Sequence, residues 1–171
     1  SIMKIVEKLD AGPVMHQDKI NLNENIDTLI LSKLLSQLGA KSLMNAIKKI
    51  ETNQAVFTEQ NHKEASYAKK ITKKEAEIKW DKNAKEIIAK INGLNPNPGA
   101  WFKYKNERYK VWKAKEASGS GLEGSILDDN LTIACKDKSI KIVEIQKEGK
   151  SRQLIDQFLI GNKIPQGEKI G

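Results

Sequence analysis

Apolar positions along this chain change their spacing several times, and each change predicts an element. Ile2, Met3, Ile5 and Val6 in residues 1–6 read as a short strand, and Asp10-Ala11-Gly12-Pro13 is a turn signal. Val14 to Ile20 reads as a second strand. Ile26, Leu29, Ile30, Leu34, Leu35 and Leu38 then recur at helical spacing, with Asn23 or Asn25 as the cap. Gly39 interrupts, and Leu43, Met44, Ile47 and Ile50 resume the stripe, so one kinked helix or two short ones are predicted. Two short strands and one helical stripe cannot enclose a core. The helix therefore needs a sheet that this sequence does not supply, and its apolar face is expected to be exposed or covered by another chain.

Residues 52–71 are polar and read as a linker. Thr72 and Glu75 have capping-box spacing and predict a single turn. Asp81 is the expected N-cap of a helix over 82–92, with Ile87, Ile88, Ile91 and Leu94 on one face. Gly93 reads as its left-handed C-cap. Pro96 and Pro98 forbid further helix and hold Asn95 and Asn97 extended. Strands follow over 100–104, 108–115, 124–128, 131–135 and 139–145, at the close spacing of a small barrel. Leu154, Ile155, Phe158 and Leu159 form a last helical stripe, ended by Gly161 and suited to plug a barrel end.

Composition sharpens this picture. Of 171 residues, 30% are charged and 39% hydrophobic, as in a globular soluble protein. Residues 1–72 carry 10 Lys against 8 acids; residues 73–171 carry 20 Lys and Arg against 14. Most of the net +8 thus lies in the second part, which suits a polyanionic partner and equally a solvated lysine-rich surface. The lone Cys135 sits on one face of a strand signal and reads as a buried thiol. With no disulfide framework, a reducing, cytoplasmic compartment is expected. No run approaches the roughly 18 apolar residues that span a bilayer. Ser1 stands where an initiator Met is expected, which reads as a piece of a longer protein.

The candidate chemistry is sparse. Asp10 lies in a turn after a strand, where catalytic carboxylates of open sheets gather; a solvated turn residue has the same signature. His16 and His62 have no ligand partners at metal spacing, and no phosphate-cradling glycine loop is present. Lys103, Lys105, Lys110, Lys113 and Lys115 interleave with Trp101, Phe102, Tyr104, Tyr109 and Trp112. That composition suits an RNA-binding wall, and equally an aromatic core with a solvated lysine face.

Longer strings go beyond such patterns. They include Leu9-Asp10-Ala11-Gly12-Pro13-Val14, the stretch from Ala65-Ser66-Tyr67-Ala68 to Glu77-Ile78-Lys79-Trp80, and Asn95-Pro96-Asn97-Pro98-Gly99-Ala100. Val111-Trp112-Lys113-Ala114 and Ile133-Ala134-Cys135-Lys136-Asp137 belong with them. Through these the chain resembles the methionyl-tRNA formyltransferases, nearly end to end. Asn97 departs from the family's usual aromatic, and Lys136 or Lys138 stands where glycine is common.

The resemblance implies an α+β or α/β chain: the remnant of a Rossmann-like formyltransferase domain over 1–51, a linker over 52–72 and an OB-like barrel over 73–171. It implies formyl transfer from 10-formyltetrahydrofolate to the amino group of methionyl-initiator-tRNA. Asp10 matches the family's catalytic aspartate, which orients a histidine; that histidine and a catalytic asparagine are expected upstream of residue 1. The chain alone is therefore expected to be inactive. Val6, Lys8 and Asp10 are the implied folate contacts, with no metal. Lys69, Lys70, Lys73, Lys74, Lys110, Lys113 and Lys163 are the expected tRNA contacts. The intact protein is expected to be a monomer without membrane attachment. Two readings stay open beside this one: a stand-alone RNA-binding module, and another folate-dependent formyltransferase or hydrolase.

Overall fold

Residues 1–23 and 26–171 are described here from a computed structural model. The chain divides into two units, one of residues 1–23 and 30–70, the other of residues 71–171 with the short stretch that ends at Leu29.

In the first unit the turn between the strand signals governs the local structure. β1 (Ile2–Met3) pairs antiparallel with β2 (Val14–His16), with Ile2 opposite His16. The Lys4 N–H donates to the Pro13 carbonyl at 3.1 Å and carries the pairing to the turn. A Cβ on Gly12 would lie 1.9 Å from the Lys4 carbonyl oxygen, so only glycine fits. Val14 exchanges two backbone hydrogen bonds with Thr58, at 2.8 and 2.9 Å. Both strands are shorter than their apolar runs predict. Asp18, inside the expected second strand, instead accepts from His16 and from Ser42 of the helix that follows.

That helix, α1 (Thr28–Glu51), runs unbroken through Gly39. Asn23 lies five residues before it, and Asn25 is outside the described residues. Ser42 and Ala46 are its buried residues, whereas Leu29, Leu43, Met44, Ile47 and Ile50 are exposed. The apolar face expected to lack a sheet is open.

In the second unit, paired Thr72 and Glu75 close their predicted turn: the Glu75 carboxylate accepts from the Thr72 N–H at 2.6 Å, and the Thr72 hydroxyl from the Glu75 N–H at 3.2 Å. α2 spans Ala84–Leu94. Its N-cap is Asn83, not Asp81 as expected, because Glu86 reaches back to the Asn83 N–H at 3.0 Å. The Ala84 N–H is taken by the Asp137 carboxylate at 2.8 Å. Gly93 is not a left-handed cap either. The helix runs on to Leu94, Asn95 is the extended C-cap, and the left-handed residue is Gly99 at φ 84°, whose N–H donates to the Leu94 carbonyl. The Thr28 hydroxyl donates to the Gly93 carbonyl at 2.7 Å, so a side chain satisfies the end of α2.

β3 (Ala100–Tyr104), β4 (Glu107–Ala117) and β6 (Ser139–Lys147) form an antiparallel sheet. β5 (Thr132–Ala134) and β7 (Gln153–Leu154) share the free edge of β6. The order is β3-β4-β6-β5, with β7 on β6, and the sheet does not close into the expected barrel among the described residues. The strand expected over 124–128 is absent. Gly124 turns left-handed at φ 83°, and the next N–H groups split between partners, Ile126 to Glu168 and Leu127 to Thr132. A segment shared this way makes single bridges to Ile133 and Lys169 instead of a ladder. α3 (Ile155–Gly161) follows β7 directly.

The core lies between α2, α3 and one sheet face. Phe102 stacks on Tyr109 at 5.5 Å, Trp80 meets Phe102 edge-on at 5.9 Å, and Phe158 of α3 meets Tyr109 edge-on at 6.0 Å. Ile87, Ile91, Val111, Ile133, Ile142 and Ile145 fill around them. Cys135 is a buried free thiol, pushed up to about 11 by burial and then by the charge of Asp137. It is structural, since the thiolate is the reactive form.

Candidate functional site

The first unit holds a groove of about 1060 Å³ beside the turn at Leu9–Pro13, lined by Lys8, Asp10, His16, Gln60, His62 and Tyr67 among others. Strand pairing on either side fixes the ends of this turn, and one side chain fixes its middle. The Gln60 amide donates to the Asp10 carbonyl at 2.9 Å and to the Gly12 carbonyl at 2.7 Å. Asp10 is left-handed at φ 52°, a conformation that Asp tolerates better than most residues. Its carboxylate is exposed and has no hydrogen bond or ion pair among the described residues. A clamped backbone with a free carboxylate on a groove wall is suited to orient a cationic or hydrogen-bonding group brought to it.

Of the expected folate contacts, Lys8 and Asp10 line the groove; Val6 is exposed and does not. His16 and His62, for which the sequence offered no role, do line it. His16 is occupied by Asp18 at 3.1 Å. The hydroxyl of Ser42, then burial and His16, govern the Asp18 carboxyl, which is held below its ordinary value. Gln60 had no motif to mark it; its role arises from a contact across about fifty residues, which no local pattern encodes.

The second unit holds a basic and aromatic sheet face. Trp101 and Lys110 are cross-strand partners, as are Lys103 and Arg108. Alternation sends Phe102, Tyr104 and Tyr109 into the core. Trp112 is the extra residue of a β-bulge, since Val111 pairs with Ile145 and Lys113 with Glu144. The bulge places Trp112 outside the main core while leaving it buried. The Arg108 guanidinium lies 4.5 Å from the Trp101 ring centre; Lys110 and Arg152 lie 5.3 and 5.1 Å from that of Trp112. Trp101 donates to the Lys73 carbonyl at 2.9 Å and Trp112 to Gln146 at 3.1 Å. Arg152 is paired through two nitrogens with Glu144.

The expected tRNA contacts are distributed over both units. Lys69 and Lys70 end the first unit, and Lys73 and Lys74 belong to the second. Lys110 lies over Trp112. Lys113 is exposed on β4, and Lys163 is exposed beyond α3. Arg108 and Arg152, not among the expected contacts, lie over Trp101 and Trp112, and period-two alternation puts residues 108 and 110 on one face.

Among the described residues no group of His, Cys, Asp or Glu is arranged to hold a metal ion, and no helix is long and apolar enough to cross a membrane.

Known proteins supply the context. The model of the formyl transferase C-terminal domain matches residues 70–163. A methionyl-tRNA formyltransferase of Pelagibacter ubique is 44% identical over 99% of this chain, and one of Bradyrhizobium diazoefficiens is 36% identical over 98%. The chain spans about half the length of these relatives, 55% in both cases. Among solved structures, HypX from Aquifex aeolicus in complex with tetrahydrofolic acid matches with a TM-score of 0.68 at 17% identity, over 92% of this chain and 29% of that one. An N-formyltransferase from Helicobacter canadensis matches with a TM-score of 0.61 at 18% identity, over 85% of this chain and 54% of that one. At such identity these two speak for the fold, whereas the domain match and the curated relatives speak for descent. The chain belongs to the formyl transferase family and carries its C-terminal domain.

Proposed function

We propose that this chain is the C-terminal part of an enzyme that moves a formyl group from 10-formyltetrahydrofolate to the amino group of methionyl-initiator-tRNA. The observation that carries the reading is the Leu9–Pro13 turn, clamped by Gln60 and presenting an unpaired Asp10 carboxylate to a roomy groove. The curated relatives named methionyl-tRNA formyltransferase support it.

The reaction is acyl transfer: the methionyl amine attacks the formyl carbon, a tetrahedral intermediate forms, and the folate nitrogen leaves with a proton. The groove is of a size that takes a folate-sized molecule. The backbone of Val6, Lys8 and Asp10 would hold the donor, and the bound donor supplies the activated one-carbon unit. Asp10 would orient a histidine contributed from outside residues 1–171. Its negative charge favours the imidazolium, which can then stabilise the developing oxyanion. His16 cannot take that part, because Asp18 already holds it.

In this reading residues 1–51 are the end of a Rossmann-like domain, 52–72 a linker and 73–171 an OB-like domain that holds tRNA. Lys69, Lys70, Lys73, Lys74, Lys110, Lys113 and Lys163 supply positive charge to the tRNA backbone. The whole enzyme is a monomer in the cytoplasm, where the thiol of Cys135 stays reduced.

The test joins this chain to the part of the Pelagibacter ubique relative that it does not cover, and assays formyl transfer with charged initiator tRNA. Turnover by the joined protein and none by the 171-residue chain is expected. A folded joined protein without turnover, or turnover by the 171-residue chain alone, would overturn the reading.

A further inference from the structure

We infer that Gln60 is a positioning residue of the candidate site: through the two backbone carbonyls that its amide holds, it sets the direction of the Asp10 carboxylate. The role of that carboxylate rests on the proposed reaction, and Gln60 acts through it.

The turn has little of its own to hold it. The backbone hydrogen bond inside it, from the Ala11 N–H to the Lys8 carbonyl, is long at 3.4 Å. Asp10 is left-handed at φ 52°, which a residue with a Cβ keeps only where its surroundings over-determine it. No backbone N–H among the described residues donates to the Asp10 or the Gly12 carbonyl. The Gln60 amide supplies both bonds, at 2.9 and 2.7 Å. Both partners are carbonyl oxygens, so the nitrogen end of the amide faces them and both of its hydrogens are spent. The Met3 sulfur lies 3.9 Å from the same nitrogen, which brings β1 to the clamp as well. The Asp10 carboxylate itself has no partner among the described residues. Its direction therefore follows from the Cα–Cβ bond, and the backbone sets that bond.

Gln60 is anchored in turn. Two residues before it, Thr58 exchanges hydrogen bonds with Val14 at 2.8 and 2.9 Å. Directly after it, Asn61 caps a short helical turn over His62–Glu64. The groove is lined from two stretches of chain, residues 8–17 and 58–68. Gln60 belongs to the second stretch and holds the first. Without it the turn keeps its ends, through Lys4 and Val14, and loses its middle. A reacting group displaced by about 1 Å can cost roughly 10²-fold in rate.

The experiment is a double-mutant cycle in the joined protein, with charged initiator tRNA and 10-formyltetrahydrofolate. Gln60→Leu keeps most of the bulk and removes both donors. It is expected to lower kcat by roughly 10²-fold and to change the KM for the donor by less than about threefold. Gln60→Glu, whose carboxylate only accepts at neutral pH, should do the same. In an Asp10→Asn background either substitution should cost less than about twofold more, because a residue that acts through Asp10 then has nothing left to position. A parent-like kcat in a folded variant overturns the inference. So does an undiminished loss in the Asp10→Asn background, which marks a merely structural brace. A second measurement needs no turnover. In the 171-residue chain the NMR resonances of the Asp10 carboxyl and carbonyl carbons should move in both Gln60 variants, while those of Phe102 and Tyr109 stay in place. Unmoved Asp10 resonances overturn this inference alone. A folded joined parent without turnover, beside moved Asp10 resonances, overturns the proposed reaction and leaves the clamp standing.

Discussion

Asp10 and Gly12 occupy one turn and are constrained differently. Asp10 is set by what it presents, a carboxylate in a groove wall with no partner among the described residues. In the joined enzyme Asp10→Asn is expected to leave the thermal transition in place and to cut turnover by roughly 10²–10⁴-fold, the usual worth of a group that positions and charges a proton-transfer partner. Steady-state kinetics with charged tRNA measures this, and turnover near that of the parent removes Asp10 from the mechanism. Gly12 is set by what it avoids, the Lys4 carbonyl oxygen 1.9 Å from any added Cβ. Gly12→Ala must push β1 from the turn, and about 1–3 kcal/mol of destabilisation is expected, as for other overpacked sites. Urea unfolding reads it directly, and an unchanged midpoint would show that the backbone gives way cheaply.

At the level of elements, the start of α2 is tied to the loop before β6. The Asp137 carboxylate accepts from the Ala84 N–H, which holds its pKa below the ordinary value; burial opposes, and the Lys138 N–H assists. Asp128 behaves alike in its own turn. Burial pushes it up, but the Thr132 hydroxyl, the Thr132 N–H and the Asn130 N–H outweigh that and bring it down. A carboxyl with a lowered folded pKa stabilises the fold above its unfolded value, near 3.9, and that contribution is lost as pH falls through the folded pKa. Stability is therefore expected to hold from neutral pH to about 4 and to decline below it. Asp137→Ala should lower the urea midpoint at pH 7 and flatten the acid decline. An acid decline identical to that of the parent would exclude the Asp137 cap as a source of it.

For the whole molecule the charge asymmetry matters more than any single lysine. The second part carries most of the net charge, and its fixed cations face outward on the sheet. Binding of tRNA to the 171-residue chain is expected to weaken steeply with salt, with a slope of about −0.7 to −0.9 per phosphate contacted. Contacts of this kind position without reading sequence, so initiator and elongator tRNAs should bind alike. Titrations with both species over a salt series check this. Salt-independent binding, or a strong initiator preference, would assign base reading to this chain.

Local spacing determined much of this chain. The helical stripes, the Thr72–Glu75 box, the proline stop after Leu94 and four of the five sheet strands follow from periodicity and turn chemistry within a few residues of each position. The Leu9–Pro13 turn was legible for the same reason, since glycine and proline restrict backbone angles wherever they stand. What lay beyond local reach needed partners far away in the chain. Asp137 displaced Asp81 as the aid to α2 because the loop before β6 comes within 2.8 Å of Ala84. The segment 124–128 lost its strand because its N–H groups found two partners, Glu168 and Thr132. Gln60 became a clamp only when β2 paired with Thr58 beside it. Arg152 came to lie over Trp112, where Lys110 also lies, only when a bulge set Trp112 outside the main core. Each of these hydrogen bonds and stacks depends on groups meeting within a few ångströms, and in a folded chain only tertiary packing decides which distant groups meet.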